Sequence, residues 1–113
     1  MASKVLILVQ GDPRVSHRPT EAVRIALGLF AANLEVHLIL SGDSYYLLTT
    51  KLDNCIDGDL AKQYLISLKS FISTFYVEQD QKCDLIGDEY PVTFLSRDEI
   101  EQKIALAELV IRF

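Results

Sequence analysis

A chain of 113 residues, half of them hydrophobic, is sized for a single domain with a substantial core. Its formal net charge of −5 works against nucleic-acid phosphates and anionic membranes, which draw on clustered Lys and Arg, so neither is expected as a partner. Arg14, His17 and Arg18 form the one locally basic segment.

In chain order, the apolar run Val5–Val9 comes first and ends at the turn residues Gln10-Gly11-Asp12-Pro13. Such a run suits a strand buried on both faces of a parallel sheet. It is too short for a signal-peptide core or a membrane span, which makes the cytoplasm the expected location. Pro19 fits the first turn of a helix, where a missing N–H costs nothing. That helix runs through EAVRIALGLFAAN, with Asn33 as its left-handed cap. Because it is apolar nearly all round, it is expected to be heavily covered, by the sheet or by another subunit.

Leu34–Leu40 is the second predicted strand, with Val36, Leu38 and Leu40 on one face and His37 and Ile39 on the other. A strand histidine of this kind reads as a hydrogen-bonded core or interface residue. Ser41-Gly42-Asp43-Ser44 closes the strand, and Tyr45-Tyr46-Leu47-Leu48 reads as a short helix. Lys51–Gly58 is loop-like. Asp59–Ser70 is an amphipathic helix with Leu60, Ala61, Tyr64, Leu65 and Leu68 on its apolar stripe.

Ile72–Val77 and Val92–Leu95 are the third and fourth predicted strands. Ser96-Arg97-Asp98-Glu99 reads as a capping box that starts a helix to about Leu106. Leu109–Phe113 is the fifth strand. Strand and helix alternate without a hairpin signal, so the fold expected is a three-layer α/β/α domain on a five-stranded, mainly parallel sheet.

The segments KVLILVQGDP, EAVRIALGLFAA and LEVHLILSGDSYYLL, with the closing AELVIRF, resemble the small DsrE/DsrF-like proteins of bacterial sulfur relay. The resemblance spans nearly the whole chain. It implies the same α/β fold, a homo-oligomer, and a place beside another sulfur-relay protein. In relay members a cysteine at or just past the end of the third strand carries a persulfide. Here Glu78 occupies that place. The resemblance therefore implies a binding or assembly subunit that is not itself catalytic. The alternative function is an active sulfurtransferase with its persulfide on Cys83.

Cys55 and Cys83 lack a CxxC spacing and are expected to be free thiols in a reducing compartment. Around Cys83, the charges of Glu78, Asp80 and Asp84 outnumber that of Lys82, which disfavours a thiolate. Cys83 is thus expected to be weakly nucleophilic, in a strand-to-helix connection that begins at Glu78. Glu78 itself stands where α/β proteins gather catalytic groups, which makes a general acid or base role its sharper reading. No histidine lies near it in sequence, however, and a solvated residue at a strand end is the one expected. The loop QGDPRVSHRPTE leads into a helix N-terminus, so Arg14, His17 and Arg18 are the candidate anion or nucleotide site. It contains no GxGxxG and no P-loop pattern. The two histidines, His17 and His37, stand apart from the cysteines, and neither a metal nor a cofactor is expected.

Overall fold

The computed structural model describes residues 4–49, 54–79, 86–87 and 89–113. Five strands, β1 (Lys4–Val9), β2 (Glu35–Leu40), β3 (Phe75–Glu78), β4 (Val92–Leu95) and β5 (Leu109–Arg112), form one sheet in the order β4-β3-β2-β1-β5. Every pairing is parallel. Helices α1 (Arg18–Ala31), α2 (Gly58–Lys69) and α3 (Arg97–Leu106) supply the outer layers, and Gly42–Leu48 is a 3-10 helix.

The period of two along each strand sorts the apolar side chains into two cores. Val5, Ile7 and Val9 of β1, with Val36, Leu38 and Leu40 of β2 and Phe75 and Val77 of β3, pack against α1 and α2. Ala22, Val23 and Ala26 of α1 and Ala61, Leu65 and Leu68 of α2 are the helix side of that contact. Leu6, Leu8, Ile39 and Leu95 point the other way and meet Ile100 of α3. Burying each large aliphatic side chain is worth about 1.5–3 kcal/mol, so the first face, with two helices against it, dominates stability.

The expected α/β architecture is thus observed, with small shifts at element ends that have local causes. β2 starts at Glu35 because the Leu34 amide turns back to the Leu29 carbonyl at 3.1 Å, with Asn33 at φ 65° in the left-handed region. β3 starts at Phe75 because the amides of Phe71 and Ile72 both still donate to Leu68 O, prolonging the end of α2. Leu60 does not join the buried stripe of α2 and is 40% exposed. It lies about 100° round the helix from Ala61, outside the arc that faces the core. Helix α1 is less enclosed than its composition suggests, since Ile25, Leu27, Leu29 and Phe30 are only partly buried.

Two local devices fix the joints. The capping box is formed: the Glu99 amide donates to Ser96 Oγ at 3.2 Å, and the Ser96 amide to Glu99 Oε1 at 3.1 Å. The 3-10 helix is pinned to the end of β1, because the Ser41 amide and the Ser44 hydroxyl both donate to Val9 O, at 2.8 and 2.9 Å. On the β3–β4 connection, Ile86 bridges antiparallel to Thr49 and packs on the α1/α2 core.

Replacing the fully buried Leu65 by Ala is expected to cost about 2–5 kcal/mol by cavity formation, and Ser96→Ala about 1 kcal/mol by loss of the cap. Urea unfolding of both variants checks the order. Equal losses would contradict the assignment of the main core to the α1/α2 face.

Candidate functional site

Parallel strands bring their carboxyl ends to one edge of the sheet, and here that edge carries a cleft of about 470 Å³. Leu8 and Gln10 come from the end of β1, Ser41 follows β2, Glu78 ends β3 and Arg112 ends β5. Helix α3 closes the cleft with Arg97, Ile100, Glu101, Ile104 and Ala105. The chain winds outward from β1 through β2, β3 and β4, then returns to place β5 on the other side of β1. The cleft therefore spans the point where strand order reverses, the place where open α/β sheets bind ligands.

Its side chains are ordered by the strand register. Leu40 pairs with Val77, which sets the next residues, Ser41 and Glu78, side by side. The Ser41 hydroxyl donates to Glu78 Oε2 at 2.7 Å, and Arg97 Nη2 lies 3.5 Å from Glu78 Oε1. Glu78 is mostly enclosed, with 20% of its side chain exposed, whereas Arg97 reaches into solvent at 80%. On the other side, Leu8 pairs with Arg112, so both face α3. Glu78 thus lies in the cleft as a hydrogen-bonded, ion-paired carboxylate and is not the solvated strand-end residue expected, because the β2–β3 register sets it against Ser41.

Arg14, His17 and Arg18 lie outside this cleft and have separate partners. The Asp12 carboxylate accepts from Arg14 Nε at 3.0 Å and from Arg14 Nη2 at 2.8 Å, and the guanidinium lies 3.9 Å above the Tyr46 ring. That fork holds the Asp12 carboxyl below its ordinary value of 3.8. His17 Nδ1 is 2.8 Å from Asp57 Oδ2, joining the first loop to the turn before α2. Arg18 donates to the Arg112 carbonyl at 3.3 Å and lies 5.5 Å from the Phe113 ring centre. His37 is hydrogen-bonded to Glu35 and stacked on Tyr76, in keeping with its reading as a hydrogen-bonded strand histidine.

Of the thiols, Cys83 lies outside the described residues. Cys55 is half-buried beside the first loop. Burial pushes its pKa above the ordinary 9.0, the Asp12 carboxylate adds to the rise, and Arg14 opposes it. Among the described residues, no three His, Cys, Asp or Glu side chains gather to hold a metal ion. Nor is any described helix long and apolar enough to cross a membrane.

Sequence reasoning named Glu78 but missed Ser41, Arg97, Glu101 and Arg112. A strand-end position was the available signal for Ser41 and Arg112. Their meeting depends on which strands are neighbours, and that is a tertiary fact.

No protein-family model matches the chain, and no curated protein matches it either. Among solved structures, the crystal structure of the YchN protein from E. coli is similar, with a TM-score of 0.76 and 21% sequence identity. The likeness covers 98% of this chain and 99% of that one. It is a likeness of fold, and it extends over the whole five-stranded parallel sheet with its helices.

With its thiol shifted upward, Cys55 should alkylate slowly at neutral pH, and its rate should still be climbing above pH 9.0. Iodoacetamide labelling across pH, read by peptide mapping, checks this. A rate that levels off near neutrality would show an activated thiol instead.

Proposed function

We propose that this chain is a sulfur-relay-type protein of DsrE/DsrF-like kind that serves as a binding or assembly subunit without carrying sulfur itself. The observation behind this reading is the occupant of the strand-end cleft. At the tip of β3, where the resemblance places a persulfide cysteine, the Glu78 carboxylate is held between Ser41 and Arg97. A carboxylate there binds and orients but cannot form a persulfide. The fold shared with YchN supports the architecture on which this reading rests. The described thiol, Cys55, stands apart in an environment that favours its protonated form.

The test is exposure of the intact protein to polysulfide, followed by mass spectrometry. The expected result is no stable gain of a sulfur atom on the wild type. Glu78→Cys should gain one, because its thiolate would lie beside the Arg97 guanidinium. Rapid persulfide formation on wild-type Cys83 would overturn the proposal in favour of the sulfurtransferase reading.

The same reading includes self-association. Leu106 and Leu109 are 74% and 54% exposed beside the edge strand β5, and Ile66 and Phe71 are 55% and 59% exposed on the opposite layer. Contiguous apolar surface is commonly covered by a partner, and these exposed side chains are what such a partner would cover. Light scattering should return a mass that is a multiple of 12.7 kDa at micromolar concentration, and a monomer mass throughout would end this part of the proposal.

A further inference from the structure

Among the described residues, the charges that line the strand-end cleft are two of each sign, Arg97 and Arg112 with Glu78 and Glu101. Arg97 and Glu78 engage one another at 3.5 Å. That leaves Arg112 on β5 and Glu101 on α3, and neither has an ion-pair partner within 4.0 Å among the described residues. A cation and an anion therefore stand unpaired on two different elements around one cavity. The same cleft has an apolar part to its lining: Leu8 and Ile100 are 3% and 6% exposed, and Ile104 is partly buried.

This geometry points to a binding site for a small zwitterion with an aliphatic body, an α-amino acid with an apolar side chain. Its carboxylate pairs with the Arg112 guanidinium, a fork suited to two-pronged carboxylate recognition. Its ammonium pairs with Glu101, and its side chain lies on Leu8, Ile100 and Ile104. The cleft, at about 470 Å³, is within the range of small-molecule sites. Electrostatics also states what is refused. A phosphate gains from the guanidiniums but is repelled by both carboxylates, whereas a dipolar ligand satisfies each sign once.

The inference names a ligand class for the cleft that the proposed function treats as a binding site, and it rests on that reading. The two fail separately, since persulfide formation and amino-acid binding are read on different signals. Isothermal titration of the full chain with L-leucine is the test, alongside 4-methylpentanoate, which lacks the ammonium, and isoamylamine, which lacks the carboxylate. Leucine is expected to bind saturably, and each analogue about tenfold more weakly, as loss of one charge-assisted contact implies. Arg112→Gln should weaken leucine while leaving isoamylamine unchanged, and Glu101→Gln should weaken leucine while leaving 4-methylpentanoate unchanged. Both residues are solvent-exposed, so the variants should keep the parent unfolding temperature. The inference is overturned if leucine gives no saturable heat, if the analogues bind as tightly, if inorganic phosphate binds better, or if leucine binds both variants as it does the parent.

Discussion

The structure depends on the placing of β1 at the point where the sheet reverses. This strand is buried on both faces and paired in parallel on both edges, with β2 on one side and β5 on the other. Its carboxyl end is tied in both directions. Val9 O accepts from Ser41 and Ser44, Leu8 O accepts from the Phe113 amide at 2.9 Å, and the Gln10 amide donates to Phe113 O at 2.8 Å. Because parallel strands need crossovers, that placement forces α1 and α2 to one face and brings α3 across the other. The cleft is the space left where α3 passes over the strand ends.

The charged groups around that edge divide between two tasks. On the first loop, the Arg14 guanidinium is engaged by Asp12 and capped by the Tyr46 ring, and His17 holds the turn at Asp57. These contacts fasten the loop to its surroundings. Within the cleft, among the described residues, the groups are less fully matched, with one internal pair, Arg97 with Glu78, and no ion-pair partner for Arg112 or Glu101. The same residue types thus fasten a loop on one side of β1 and line an open cleft on the other. The difference lies in how closely an opposite charge is supplied, because a guanidinium already forked onto a carboxylate has few donors left for a ligand.

The cover on the two faces is also unequal, and this bears on assembly. Among the described elements, two helices enclose one face of the sheet, while the other is covered by α3, whose one buried residue is Ile100. A short helix with one buried side chain leaves apolar surface at its flanks, as Leu106 and Leu109 show.

Much of the fold was written locally. The continuous apolar run of Val5–Val9, the left-handed Asn33, the capping box at Ser96 and Glu99, and the alternation of Val36, Leu38 and Leu40 against His37 and Ile39 each act within a few residues of themselves. Short-range sterics and hydrogen bonding decide them, so the elements and the parallel α/β class could be read from order alone. The exposure of Leu60 and the later start of β3 could not be, because each follows from how α2 lies on the sheet. The site was legible at one residue, Glu78, whose strand-end position is a local property. Ser41, Arg97, Glu101 and Arg112 join it only because β5 returns beside β1 and α3 crosses above. Which charges meet, and which stay unpaired, was decided by that tertiary arrangement, since electrostatic partners are set by distance in space and not by separation along the chain.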